Sequence, residues 1–600
     1  MTVAPGTEPP RAEPSRAEPP AAEPSGAEPP SADALLAGLD AEQRVVATTL
    51  LGPVSVLAGA GTGKTRAITH RIAYGVATGV FPPNKVMALT FTSRSAAELR
   101  ARLRPLGAGG VAARTFHSAA LSQLNFFWPQ VVGGTVPRLI DSKARVLGQV
   151  AEQLKLRIDT ATLRDLAAEI EWRKISNLTI EQYERAARTS RAQPGSLTVQ
   201  QVLELQVGYE SIKDERRQLD FEDVLLATAG MIESEPSVAM QVREQYRFFV
   251  VDEFQDVSPL QYHLLSLWLG DRRDLCVVGD ASQTIYSFAG ARADFLLSFA
   301  SQFPASAVVR LEQNYRSTPA IVDTANRLMR GRPGALTLRA ASTVTAGLPP
   351  TITGYPSDAA EARGIAAAIA ALIADGTRPH DIAVLYRMNA QAAALEGALA
   401  EANVPYQIRG AQRFFDLPEV KQAVMSLRAA SVSIMGEPLF KSVSDVLRSL
   451  GWSQSPPEGR GALRDRWDSL NAIMGLAEQQ PPRTTFRAFT DELLERQSAQ
   501  HEPTLAAVTL ATLHSAKGLE WPVVYVAGLS EGLVPISYAT TLDQIDEERR
   551  LLYVGITRAR QRLALSYSQT GAGRSQSRAP SRFLQELGTR TPDARSAVSR

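Results

Sequence analysis

The stretch Val54-Ser-Val-Leu-Ala-Gly-Ala-Gly-Thr-Gly-Lys-Thr65 starts as an apolar β-type run and breaks into glycines. A lysine and a threonine follow, then a helical pattern carrying Arg66, Ile68, Ile72 and Ala73. The order is strand, phosphate loop, helix. Glycines let consecutive backbone N–H groups turn inward around phosphate oxygens, and the helix N-terminus adds the positive end of a dipole. Lys64 brings a point charge to the terminal phosphates, and the Thr65 hydroxyl can reach Mg²⁺. Ala58 stands where the strict pattern has its first glycine, leaving Gly59, Gly61 and Gly63 to shape the loop. Ala58, Gly59, Ala60, Gly61, Thr62, Gly63, Lys64 and Thr65 together read as a nucleotide site.

Further apolar runs on either side end in polar tips. Val86-Met-Ala-Leu-Thr-Phe-Thr92 reads as a second strand, followed by a helix from Ser95 to Leu103, and Ala113-Arg-Thr-Phe-His117 reads as a third strand. In open α/β sheets such carboxyl ends lie together where ligands bind, so Thr92, Phe116 and His117 are ligand candidates. Taken singly, His117 also reads as a satisfied loop histidine and Phe116 as core. Gln43, on a helix entered from Leu39-Asp40, has the amide needed to read a base edge. Phe248-Phe-Val-Val-Asp-Glu-Phe-Gln-Asp256 is a strand ending in adjacent carboxylates. Strand alternation points Asp252 and Glu253 in different directions, one for a metal shell and one to orient and deprotonate water. The strand from Leu275 leads to Gln283, placed to sense a γ-phosphate, and to Tyr286 and Phe288, which can stack on bases or fill core.

The chain has 600 residues, too many for one core. Its 64 basic and 62 acidic side chains leave a net charge of only +2, so composition alone does not announce a nucleic-acid binder. The single cysteine, Cys276, excludes an intramolecular disulfide and a cysteine-cluster zinc site. No apolar run is long enough to span a bilayer, and the N-terminus lacks a secretory layout, which makes the cytoplasm the expected location. Residues 1–30 repeat Ala-Glu-Pro every five positions and have little to bury, so a disordered, partly polyproline-like tail is expected, either tether or inert.

From about Ser118 to Tyr209 the pattern is helical and strandless. A second alternation begins at Val308-Val-Arg-Leu311 and is broken by another helical region near Ala411 to Pro503. It resumes at Val508–Leu513, Val523–Ala527 and Leu563–Tyr567, with a helix over Glu547–Arg560 before the last strand. The expectation is two α/β halves, each with a helical insertion and only the first with a phosphate loop. Arg316 and Arg558 of the second half are placed to reach a γ-phosphate across the cleft as arginine fingers. Hydrolysis would thereby couple to closure.

The ordered set resembles the UvrD/Rep/PcrA-like DNA helicases of superfamily 1 over about Leu39 to Phe583. It comprises Gln43, Ala58–Thr65, Thr90-Phe-Thr92, Thr115-Phe-His117, Leu219-Asp-Phe-Glu-Asp-Val-Leu225, Val251–Asp256, Val278-Gly-Asp280 with Gln283 to Tyr286, Asn314-Tyr-Arg-Ser317, His514–Glu520 and Tyr553–Ala559. Phe126-Phe-Trp-Pro129 and Ile170-Glu-Trp172 look most like the actinobacterial second UvrD-type branch. The resemblance implies two RecA-like domains with parallel sheets, and an ATP- and Mg²⁺-dependent motor moving 3′ to 5′ on single-stranded DNA, cytoplasmic and nucleoid-associated. It implies 3′-tailed duplexes as substrates and repair or replication proteins as partners. By position, Gln43 would read adenine, with Arg66 and Tyr315 packing on it. Lys64 and Thr65 would serve phosphates and Mg²⁺, with Asp252 completing the metal shell and Glu253 as base. Gln283, Arg316 and Arg558 would contact the γ-phosphate, and Glu520 the ribose. Phe91, Thr92, His117, Tyr286, Phe288 and His514 would line the DNA track.

The implied layout is a tail at 1–30, a first domain at 31–118 and 210–302 with an insertion at 119–209, and a second domain at 303–410 and 504–587. A short insertion at 411–503 and a tail at 588–600 complete it. Ala289 stands where such motors usually have arginine, and no aromatic occurs between Tyr567 and Phe583, where relatives carry a strand-splitting ring. An accessory C-terminal domain and a fused nuclease are expected to be absent. A translocase that separates duplex poorly, and a DNA-bound scaffold without turnover, are the alternatives to full unwinding.

Overall fold

A computed structural model describes residues 29–588 except 190, 192, 410–414, 416, 435, 456–461, 479, 482, 500–505 and 571–576. The repeat tail, apart from its last two residues, and the end from 589 lie outside the described residues. Two six-stranded sheets carry the architecture. The first is built from β1 (Val54–Ala58), β2 (Val86–Thr90), β3 (Ala112–Thr115), β4 (Phe248–Val251), β5 (Leu275–Gly279) and β6 (Ala307–Leu311), in the order β3-β2-β4-β5-β1-β6. The second has β7 (Thr351–Tyr355), β8 (Ile382–Tyr386), β9 (Tyr406–Arg409), β10 (Val508–Thr512), β11 (Trp521–Val526) and β12 (Ala559–Ser568), in the order β7-β12-β11-β8-β10-β9. Every pairing in both sheets is parallel.

Parallel strands covered by helices on both faces must be apolar in both directions, and these are. In β2, Met87 and Leu89 enter one core with the helices Phe116–Val131 and Phe221–Ser234, while Val86 and Ala88 enter another against the helix Lys64–Ala77. In β8, Ala383 and Leu385 face one core, and Ile382, Val384 and Tyr386 the opposite one. Each helical stretch has its own core: Leu147, Ile170, Val202 and Tyr209 in the first, Val420, Leu427, Ile473 and Phe489 in the second.

Several expectations change. Strand β6 was expected to open the second half, but it pairs with β1 from Val54↔Ala307 to Ala58↔Leu311, so the first sheet continues past residue 302. The edge position beside β1 was open, and Val309 and Leu311 fill it with apolar surface. The third strand ends at Thr115, whose side chain caps the helix Phe116–Val131, so His117 lies in a first helical turn rather than at a strand tip. The first helical stretch is not strandless, since Arg138–Leu139 pairs with Gln218–Leu219. The helix over Glu547–Arg560 runs instead from Leu542 to Ile556, which leaves Arg558 in the turn before β12.

Candidate nucleotide and nucleic-acid site

The phosphate loop sits at the carboxyl end of β1 with Gly61 (φ 70°) and Gly63 (φ 78°) in left-handed conformations that glycine adopts without steric cost. Space matters as much as φ here. A Cβ on Gly61 would lie 2.6 Å from Asn314 Nδ2, and one on Gly63 would lie 2.7 Å from Gln43 Nε2. The loop is held from both sides. Gln43 Nε2 donates to Thr62 O at 3.0 Å, Asn314 Nδ2 donates to Ala60 O at 2.7 Å, and Tyr315 N donates to Gly61 O at 2.9 Å. Gln43 is aimed by the capping box it forms with Asp40 at the start of the helix Ala41–Thr48.

Lys64 opens the helix behind the loop, and its buried Nζ has no hydrogen-bond partner among the described residues. A buried, unpaired ammonium is costly unless an anion completes it, and the groups around it are anionic. Strand β4 stops at Val251, so alternation does not separate the two carboxylates. Glu253 takes a left-handed conformation (φ 54°) that turns its side chain, and its N–H donates to Asp252 Oδ1 at 3.0 Å. Burial pushes Glu253 upward, but Lys64, then Lys517, the Gln255 amide and Arg558 outweigh it and keep the carboxyl ionised, well below its usual range. Asp252 moves the other way, raised by burial and by the Glu253 charge. Asp252 and the Thr65 hydroxyl offer hard oxygen ligands of the kind Mg²⁺ takes. Among the described residues no cluster of three or more His, Cys, Asp or Glu could hold a metal unaided.

From Glu253 a polar chain crosses to the second sheet. Gln255 Nε2 donates to Glu253, and Gln255 Oε1 accepts from Asp280 N at 2.9 Å. Gln283 Nε2 donates to Asp280 Oδ2 at 2.7 Å, and Gln283 Oε1 accepts from Arg558 Nη2 at 3.4 Å. Arg558 is buried and anchored by Val554 O (2.9 Å) and Leu519 O (3.1 Å). Burial and then Arg316 bring its guanidinium down to about 9, still protonated at neutral pH. Arg316 is ion-paired with Glu520, which also lies 3.7 Å from Arg560 Nη1. Lys517 from the second half pairs with Asp256 and donates to Gln283 O at 2.8 Å. Tyr553 OH stands 3.5 Å from both Ala60 N and Asp280 Oδ2.

The structure therefore brings together Ala58 to Thr65, Gln43, Asp252, Glu253, Gln283, Arg316, Arg558 and Glu520. Arg66 and Tyr315 lie on the outer rim. Arg66 Nη2 donates to Gly38 O at 2.7 Å, and Tyr315 OH donates to Asp40 at 2.5 Å. The rings form a row: Phe91 stacks on Tyr286 (5.6 Å, 13°), and Tyr286 faces His514 from the second half at 6.5 Å. Thr92 caps the helix Ser93–Leu103. His117 joins a separate pair, stacked on Phe221 at 4.0 Å, with burial and Lys143 lowering its pKa to about 4. The Phe288 side chain lies outside the described residues. Gln255, Asp256, Asp280, Asn314, Lys517 and Tyr553 all sit inside the quoted motifs, yet nothing in their spacing set them apart. Gln255 and Asp280 have near partners in Glu253 and Gln283, but the contacts of Asn314, Lys517 and Tyr553 that reach the loop and the carboxylates lie far away along the chain.

Residues 39–304 match the family model of the UvrD/REP helicase N-terminal domain. Residues 309–433 and 463–570 match that of the UvrD-like helicase C-terminal domain. The chain is 47% identical over 583 residues to the ATP-dependent DNA helicase UvrD2 of Mycobacterium tuberculosis, covering 93% of this chain and 83% of that protein. It is 30% identical over 646 residues to the ATP-dependent DNA helicase PcrA of Leuconostoc citreum, at 92% and 85% coverage. To DNA helicase II of Escherichia coli it is 29% identical over 644 residues, at 92% and 88%. With the nucleotide loop, the carboxylate pair and the facing arginines in place, the chain belongs to the UvrD/Rep helicase family.

Proposed function

We propose that this chain is an ATP-dependent DNA helicase that translocates 3′ to 5′ along single-stranded DNA in DNA repair or replication. The observation that carries the reading is the unpartnered, buried Lys64 ammonium, with Glu253 on its own sheet and Arg558 reaching in from the other. The loop N–H groups and Lys64 bind the phosphates. One N–H of the Gln43 amide stays available for a base acceptor, and Arg66 and Tyr315 border that position. Glu253, already ionised, orients the attacking water and accepts its proton. Gln283, Arg316 and Arg558 contact the γ-phosphate oxygens and stabilise the charge that builds there. Thr65 and Asp252 would hold Mg²⁺, which would supply positive charge to neutralise the phosphates.

Glu520 is the ribose ligand in this reading, and its exchange from Arg316 to a ribose hydroxyl frees the arginine for phosphate. The row Phe91, Tyr286 and His514 stacks bases, each worth roughly 1–3 kcal/mol and tolerant of sequence; Thr92, His117 and Phe288 extend the track. The domain limits follow the motif order, with the first RecA-like domain extended through β6. Partners are 3′-tailed duplexes and proteins of repair or replication, and the place of action is the cytoplasm, on nucleoid DNA. Among the described residues no helix is long and apolar enough to cross a membrane.

A translocase that clears proteins but opens duplex weakly is a second reading. It rests on the lack of any aromatic between Tyr567 and Phe583, the stretch closed by the Thr570–Ser577 bridge. ATP turnover with and without single-stranded DNA, paired with unwinding of a 3′-tailed duplex, tests both. Turnover that DNA fails to stimulate sinks the main proposal, and robust unwinding by the chain alone sinks the second reading.

A further inference from the structure

The end of the first sheet opposite the nucleotide carries a furrow that the proposed motor does not use. Lys85, Tyr246 and Asp274 stand just before β2, β4 and β5, so they mark the amino edge. One cavity there, of about 460 Å³, is walled by Phe126, Phe127, Tyr246, Gln123 and Arg114. A second, of about 600 Å³, is bordered by Arg243, Arg247, Arg272 and Arg273. Lys85 and Glu244 line both, so the two are continuous.

The furrow is electrostatically one-sided. Six cations (Lys85, Arg114, Arg243, Arg247, Arg272, Arg273) meet two carboxylates, Glu244 and Asp274. Asp274 is already engaged by Arg247 and by Gly52 N. The side chains of Arg114 and Arg273 have no hydrogen-bond or ion-pair partner among the described residues. Arg272 is pinned on the carbonyls of Leu269, Arg243, Tyr246 and Trp268. Burial and then the nearby Arg243 and Arg247 lower its pKa, as expected of crowded like charge. At the aromatic end, Gln123 gives its oxygen to Trp268 Nε1 at 2.7 Å and leaves Nε2 unpartnered.

The chain itself carries a segment of complementary chemistry. Residues 17–28 hold Glu18, Glu23 and Glu28, each followed by proline, and no lysine or arginine. Pro29, the first described residue after that segment, lies at the amino edge beside the furrow. Pro29 packs at Gly107, where a Cβ would lie 2.7 Å from the proline Cβ. Gly110, at the end of the same connection, faces Pro83 (3.3 Å), which begins the Pro83–Lys85 turn. Proline-rich segments dock on aromatic-lined grooves because little order is lost on binding. At about 3.1 Å per residue, the five-residue repeat spaces its glutamates about 15 Å apart, and twelve residues extend about 37 Å.

We infer that residues 17–28 dock in cis along this furrow, prolines against Phe126, Phe127 and Tyr246 and glutamates on Arg114 and the arginines beyond Lys85. Exposed ion pairs are individually weak, but a short tether holds the segment at high effective concentration. The docked tail then occupies the amino edge against other acidic partners and leaves the nucleotide edge open.

Carbodiimide coupling of carboxylates to amines tests this on the full chain, because Lys85 is the only lysine in the furrow. Peptide mapping should find Glu18 or Glu23 joined to Lys85, and the product should disappear at high salt as charges are screened. It should also disappear in Arg114→Glu/Arg273→Glu, which keeps both reacting groups. Absence of the Lys85 product in the wild type, its survival in the charge-reversed chain, or equal coupling to Lys155, Lys421 and Lys441 overturns the inference. Glu18→Gln/Glu23→Gln/Glu28→Gln leaves the folded body untouched and should speed hydrogen exchange over 119–127 and 241–247. Unchanged exchange overturns it too, as does an oligo-dT that protects the furrow equally with and without those glutamates.

Discussion

Lys64 and Glu253 depend on each other more than adjacency to a loop or a strand suggests. The lysine has no hydrogen-bond partner among the described residues, and its charge is the foremost of those that keep Glu253 ionised despite burial. Lys64→Ala should abolish ATP turnover, measured as phosphate release. Glu253→Gln should leave ATP bound and unhydrolysed, and turnover near wild type would remove Glu253 from the role of base. Gly61 is constrained twice over, by its φ of 70° and by Asn314 across the loop. Gly61→Ala should cost about 1–3 kcal/mol, read as a fall in chemical-denaturation stability together with weakened nucleotide binding. The glycine pattern of this loop was legible in the chain, because local geometry alone demands it. Asn314 as the loop's second support was not, since its partner lies far away in sequence.

The join between the first helical stretch and its sheet domain is a buried charge cluster. Lys174 Nζ lies 2.7 Å from Asp220 and 2.6 Å from Asp223, Lys213 reaches the same two carboxylates and Glu210, and Tyr209 OH donates to Asp220 at 2.9 Å. Asp220 also caps the helix Phe221–Ser234. Burial pushes its carboxyl up, but Lys174 and Lys213 hold it well below the usual carboxylate range. Asp220→Asn leaves two buried ammonium groups short of an acceptor and should cost roughly 3–5 kcal/mol, with hydrogen exchange rising first over 143–215. Acid should act in two stages. The folded chain keeps His117 and His514 neutral, with pKa values near 4, while the unfolded chain protonates them near 6.5. Stability complete above pH 6.5 is therefore lost as pH falls toward 4. Asp220, with its lowered folded pKa, adds a loss that begins only below about pH 4. Melting temperature against pH for wild type and His117→Gln checks this; the variant's curve should be flatter between those limits.

Between the two halves, the contacts are made by groups from both. Lys517 pairs with Asp256, Arg550 Nε donates to Thr284 O at 2.9 Å, Ser287 N donates to Glu547 at 3.0 Å, and Ala60 and Ile285 are buried in the second half's core. Tyr286 lies in the ring row between Phe91 and His514 and also under the Lys517 ammonium, 5.0 Å from its ring centre. Lys517 thus touches both the carboxylate chain leading to Glu253 and the ring row. Arg558→Ala should lower hydrolysis far more than ATP affinity; weaker binding alone would show that the finger assignment is wrong. A double-mutant cycle of Lys517→Met and Asp256→Asn should show about 1–3 kcal/mol of coupling in denaturant stability, and additive effects would show that the Lys517–Asp256 pair does not join the halves.

Apolar runs with polar tips were enough to give two α/β halves with helical stretches between them, because strands buried on both faces must be continuously hydrophobic. The two strands of the second sheet that escaped notice, Thr351–Tyr355 and Tyr406–Arg409, are its edges, half exposed and therefore without that signature. The residues that the structure gathers around the phosphate loop could also be named in advance, since a glycine loop carries its lysine locally and a paired carboxylate at a strand end stands out. Which sheet Ala307–Leu311 would join, the left-handed turn at Glu253, and the meeting of Arg558 with Gln283 or of Lys517 with Asp256 were settled by packing. These join positions far apart along the chain, and no local periodicity records which distant surface a side chain will meet.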